Sequence, residues 1–152
     1  MIKAEDLRIG DLVRVSRDCM FPKGTMCAVT DINPLKSSGD KKGVVSLSAI
    51  NDNDDGPWGV WCCDVEGIPI TPEILNKNGF KEEAVGKYYA KRFDNESHSL
   101  ARYLGVEWKS SNEGVFIKYY THYDYALLQK IQHVHELQHI LWALGKDANL
   151  KI

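Results

Sequence analysis

Apolar and polar side chains alternate in short runs through the first half of the chain and recur at helical spacing only near its end. Leu12-Val13-Arg14-Val15 alternates, and Thr25 to Ile32 and Gly43 to Ile50 are dense in β-branched and apolar residues. That pattern predicts half-buried strands. Phe21-Pro22-Lys23-Gly24, the stretch from Asn33-Pro34 to Gly39-Asp40, and the stretch from Asn51 to Gly56-Pro57 separate them with residues that fix or widen backbone angles. Trp58 to Glu66 predicts a fourth strand. Short strands at this spacing predict a small antiparallel β-barrel or a strongly bent sheet, because closing a sheet hides edges that would otherwise pair with other chains.

The second half changes character at Ile68-Pro69-Ile70-Thr71-Pro72-Glu73. Thr71 is a good N-cap, Pro72 suits the first helical position and Asn78-Gly79 can end the turn, so a short helix is expected over Pro72 to Lys77. Strands are expected near Lys87 to Phe93, Ser99 to Trp108 and Gly114 to Tyr119, the last two joined by a turn at Asn112-Glu113-Gly114. Residues 123–132 fit a strand or a helix equally. From Val134 the pattern is helical: Val134, Leu137, Ile140, Leu141 and Leu144 fill an arc of about 120° at 100° per residue, and Gly145 stands where a C′ glycine ends a helix. Ala148 to Ile152 can return as a short edge strand.

These elements define an α+β fold. Residues 1–66 form a small barrel-like domain, and its opening, Leu7-Arg8-Ile9-Gly10-Asp11-Leu12-Val13, resembles that of SH3-like barrels. Residues 67–152 form an α+β domain of a short helix, antiparallel strands and a C-terminal amphipathic helix over residues 134–144. A length of 152 residues suits one domain or two small ones, and 43% apolar with 26% charged residues is a globular composition.

Charge narrows the partners. Nineteen basic and 21 acidic side chains give a formal charge of −2, so no general field draws the chain to nucleic acid. Lys36, Lys41 and Lys42 make a basic patch, but Asp31, Asp40, Asp52, Asp54 and Asp55 lie close in sequence, and a solvated loop is the simpler reading. Lys3, Glu5, Asp6 and Arg8 interrupt the N-terminus where a signal peptide would carry an apolar core, and no apolar run approaches the roughly 20 residues that span a bilayer. A cytoplasmic protein without membrane contact is expected, its four cysteines reduced. Cys19, Cys27, Cys62 and Cys63 form no C-x-x-C knuckle, so no structural zinc is expected. Asn51 to Gly56 begins like a calcium-binding EF-hand loop, but its twelfth position is Cys62 where a bidentate Glu is needed.

His135-Glu136-Leu137-Gln138-His139 matches H-E-x-x-H, in which two histidines one turn apart hold zinc and the Glu activates a bound water. Three points weigh against that chemistry. The histidines lie opposite the apolar arc, toward solvent or another element. Only thirteen residues follow His139, Asp147 is their one carboxylate, and a third ligand would have to come from His98 or His122 upstream. Finally, a pattern with three fixed positions recurs by chance. The helix is read as an amphipathic element and no cofactor is expected; zinc hydrolysis by Glu136, with His135 and His139 as ligands, is the alternative.

Leu7 to Val13 with Asp6, Ile68 to Leu75 with Asn78-Gly79-Phe80, and Val134 to His139 together resemble a family of small uncharacterised proteins found in gut Bacteroidales, their phages and mobile elements. The resemblance touches both ends and the middle of the chain. It implies no activity. Members commonly carry Gln at the position of Glu136 and vary at that of His139, which implies that base and ligand are dispensable and that the helix is built on a V-H-x-L-Q pattern. The leading expectation is therefore a non-enzymatic binding or accessory protein with a protein, nucleic-acid or small-ligand partner. Exposed aromatics would carry the contact, with Trp58, Trp61, Tyr119 and Tyr120 as candidates beside Tyr88, although most rings of this kind fill cores. Nucleic-acid binding by the N-terminal barrel is a further alternative.

Overall fold

A computed structural model describes residues 2–50, 57–93, 102–108, 115–120 and 125–152. They form two antiparallel five-stranded sheets and two α-helices, divided between two compact units.

The first unit comprises Met1–Ile68 and His133–Asn149. Its sheet holds β1 (Leu12–Val15), β2 (Met26–Ser38), β3 (Lys41–Ala49), β4 (Trp58–Trp61) and β5 (Val65–Gly67), in the order β4-β3-β2-β1-β5. Alternation does what the sequence implied. Val13, Val15, Cys27, Val29, Val45, Leu47, Val60 and Val65 turn one face of the sheet into a core, closed by Ile2, Ala4 and Leu7.

The expected closed barrel is not formed: the described sheet is open, with β4 and β5 as its edges. Trp58 to Glu66 is not one strand, because a 3-10 turn at Cys62–Asp64 divides it and sends the chain from one edge to the other. Three residues reach only about 10 Å. The sheet must therefore curl strongly to bring its edges that close. The connection expected from Asn33 to Asp40 is also shorter than anticipated, since β2 runs on to Ser38. Pro34 is tolerated there because the register shifts between Asn33 and Ser37, where its missing N–H breaks no regular pairing.

The second unit comprises Pro69–Gln132 and Leu150–Ile152. Helix α1 spans Pro72–Lys77, and the Thr71 hydroxyl accepts the Ile74 N–H at 3.3 Å as its cap. The sheet holds β6 (Lys81–Ala84), β7 (Tyr88–Arg92), β8 (Tyr103–Trp108), β9 (Val115–Tyr120) and β10 (Tyr125–Ile131), in the order β10-β9-β8-β7-β6. The ambiguous stretch after residue 124 is thus a strand. Strand β6, Lys-Glu-Glu-Ala, has no apolar alternation and follows from its pairing with β7. The chain's last residues are not a strand; the Asn78 amide takes the place of one, donating to Lys151 O and accepting from Lys151 N at 2.8 Å each. The expected turn at 112–114, the calcium-like string 51–56, His98 and His122 lie outside the described residues.

Helix α2 (Val134–Ala143) falls in the first unit, whereas the expected division grouped it with residues 67–152. Val134 N–H donates to Ile68 O at 2.8 Å, which fixes where the helix starts.

Candidate functional site

The segment Arg8 to Asp11 is a tight turn built around its own aspartate. Asp11 N–H reaches Arg8 O at 3.1 Å, and Asp11 Oδ2 accepts Arg8 N–H at 2.7 Å. Gly10 adopts φ +94°, a left-handed conformation that a side chain resists. Gly10 N–H to Val29 O (2.7 Å) and Val29 N–H to Asp11 O (2.9 Å) pin the turn to β2.

Helix α2 meets this turn with the arc that the sequence reading left outside the core. Gln138 is buried, and its amide is fully used: Oε1 accepts Leu12 N–H at 2.9 Å, while Nε2 donates to Gly10 O and Ala148 O at 3.1 Å each. One side chain thereby satisfies backbone groups on both sides of the helix, where an unpaired group would cost about 1–3 kcal/mol. His139 stands beside it, with Nε2 2.8 and 2.9 Å from the two oxygens of the buried Asp11 carboxylate. The helix ends at Gly145, φ +65°, with Lys146 N–H returning to Leu141 O at 2.8 Å.

Between the turn and the end of α2 lies a groove of about 360 Å³, with Arg8, Ile9, His139, Trp142 and Lys146 among its walls. Ile9 is 69% and Trp142 61% exposed, and the Arg8 guanidinium lies 5.0 Å from the centre of the Trp142 ring. Exposed apolar side chains gathered in one groove mark an interaction site more often than ones scattered singly. The sequence reading missed this group. Its one available signal was Trp142, an aromatic on the same helical arc as His135 and His139.

The H-E-x-x-H residues make contacts of their own within the first unit. Glu136 Oε2 accepts His133 N–H at 2.8 Å, so the carboxylate caps the start of α2. His135 is only 4% exposed, so of the two environments expected for that arc, solvent or another element, it has the second; its ring stacks at 5.6 Å on His133 and meets His139 edge-on at 5.9 Å. Its Nδ1 has no hydrogen-bond partner, and burial pushes its pKa below the ordinary imidazole value. His133 packs flat against Gly67, where any Cβ would overlap its ring. A catalytic zinc needs three converging donors and a free base. Here His139 Nε2 is committed to Asp11, Glu136 to the cap, and among the described residues no three His, Cys, Asp or Glu side chains gather around a cation position.

The aromatic candidates are dispersed. Trp58, 43% exposed, and Trp61 lie on β4, with Lys41 Nζ 5.9 Å from the Trp61 ring. Tyr119 and Tyr120 follow one another on β9 and so face opposite sides of the second sheet. Tyr120 stacks on Tyr103 at 4.3 Å and meets Tyr88 edge-on at 6.4 Å. Of the basic patch, Lys41 sits 3.8 Å from the buried Asp64, which Arg17 also contacts at 2.6 Å.

Comparison with family models, curated proteins and solved structures returned no match to this chain. Among the described residues no helix is long and apolar enough to cross a membrane.

Proposed function

We propose that this chain is a non-enzymatic binding protein that docks a partner protein in the groove between the Arg8–Asp11 turn and the end of α2. The observation that carries the reading is Trp142: an exposed indole, stacked by Arg8 and flanked by Ile9, on a frame fixed by Gln138 and the Asp11–His139 pair. Tryptophan and arginine dominate the energetics of protein interfaces, and holding them in place beforehand lowers the ordering cost of binding. The same frame uses residues from two of the segments that resemble small uncharacterised proteins of gut Bacteroidales, their phages and mobile elements, and we assign the protein to that setting.

The short link between β4 and β5 supports reading the first unit as an opened SH3-like barrel. Four unbridged cysteines support a cytoplasmic location. Affinity capture from such a host with wild-type and Trp142→Ala baits, followed by titration of the purified partner, tests the proposal. Binding should weaken by about tenfold or more in the variant, the range of an interface hot spot. Equal capture by both baits excludes this groove, and salt-sensitive retention of nucleic acid alone would favour the nucleic-acid reading.

A further inference from the structure

The two edges of the second sheet are built differently. Strand β6 is four residues long, carries Lys81, Glu82 and Glu83, and shifts register between Glu82 and Ala84. Charge, shortness and irregularity are the usual means by which an edge is kept from pairing with another chain. The edges of the first sheet, β4 and β5, have only four and three residues.

Strand β10 has little of this protection. It is seven residues long, exposed from Tyr125 through Lys130, and Lys130 is its sole charge. Leu127 is 54% and Leu128 38% exposed. Beside Lys130, its protection is the register shift against β9 between Leu127 and Gln129. Among the described residues no strand pairs with its outer side.

We infer that β10 is a self-association edge, pairing antiparallel with β10 of a second copy to join two five-stranded sheets into one of ten. A two-fold pairing centred between Leu127 and Leu128 sets each Leu127 opposite Leu128 of the second copy and each Lys130 opposite its Tyr125. The two lysines then stand about 14 Å apart, at 3.4 Å per residue over the four ladder positions that Tyr125 to Lys130 spans across its register shift. A parallel arrangement would place them side by side, so charge selects the antiparallel, two-fold form. Pairing covers both leucines and lines the outer side of the strand with backbone donors and acceptors.

Analytical ultracentrifugation of the full chain at roughly 100 μM, where mass action favours association, should give twice the chain mass. The double variant Leu127→Lys/Leu128→Lys, which adds charge at exposed positions, should sediment at the chain mass, and Val85→Lys, 90% exposed near the other edge, should remain paired. Hydrogen exchange on the wild type supplies a measurement independent of any substitution: β10 amides should gain protection as concentration rises. A wild-type monomer, a double variant that still pairs, or β10 protection independent of concentration overturns the inference. A monomer whose β10 becomes protected only on adding a foreign peptide would instead make the edge a strand-addition site for another protein.

Discussion

Gln138 Oε1 accepts the backbone N–H of Leu12 at 2.9 Å, joining positions 126 residues apart. Through its Nε2 the same amide holds Gly10 and Ala148, so helix α2, the Arg8–Asp11 turn and the chain after Gly145 share one buried anchor. Gln138→Leu conserves volume roughly but strands three backbone groups. It should destabilise the first unit by about 2–4 kcal/mol, because several buried groups lose their partners at once. Denaturant midpoints will measure the loss, and an unchanged midpoint would show that water replaces the amide at no cost.

The Asp11–His139 pair is expected to act as a coupled unit. Asp11 is 3% exposed and receives His139 Nε2 on both oxygens in addition to Arg8 N–H, so removing one partner leaves the other poorly satisfied. A cycle of Asp11→Asn, His139→Gln and the double variant should give a coupling of about 1–3 kcal/mol. Strictly additive single effects would mean that the contact contributes nothing beyond packing.

The sequence made α1 legible almost to the residue, because Thr71, Pro72 and Asn78-Gly79 are local signals that do not depend on the rest of the fold. Strands with alternating apolar residues were equally readable. Strand β6 was not, since Lys81–Ala84 owes its conformation to its neighbour β7 and not to its own side chains. Helix α2 was found, but helical periodicity left His135 facing either solvent or another element and gave Gln138 no place, and both are buried. Periodicity sees only apolar burial. A glutamine that satisfies three backbone groups is indistinguishable in sequence from one in water, and the groove at Ile9 and Trp142 depends on a contact between the two ends of the chain.

Burial of His135 links stability to pH. Its folded-state pKa is lowered, chiefly by desolvation with His133 and His139 contributing, against the opposing pull of Asp11 and Glu136. The unfolded chain therefore binds a proton near pH 6.5 while the folded one resists it. His135 contributes full stability above that pH and loses it as pH falls through the window between the unfolded and the lowered folded pKa, with a slope of up to about 1.4 kcal/mol per pH unit. Unfolding free energies between roughly pH 7 and pH 5 should fall more steeply in the wild type than in His135→Phe. Parallel curves would mean that the ring is protonated in the folded protein.

Two glycines of the first unit separate steric from conformational need. Gly67 has an ordinary negative φ, yet a Cβ there would overlap the ring of His133 at the start of α2. Gly10 has open space where a Cβ would go but sits at φ +94°. Gly67→Ala should cost about 1–3 kcal/mol through forced repacking, and His133→Ala in the same chain should recover most of that loss. Gly10→Ala should cost about 1–2 kcal/mol from backbone strain alone, with no rescue by His133→Ala. Chemical denaturation of the four variants measures both, and rescue of Gly10→Ala, or none of Gly67→Ala, would contradict the packing of His133 on β5.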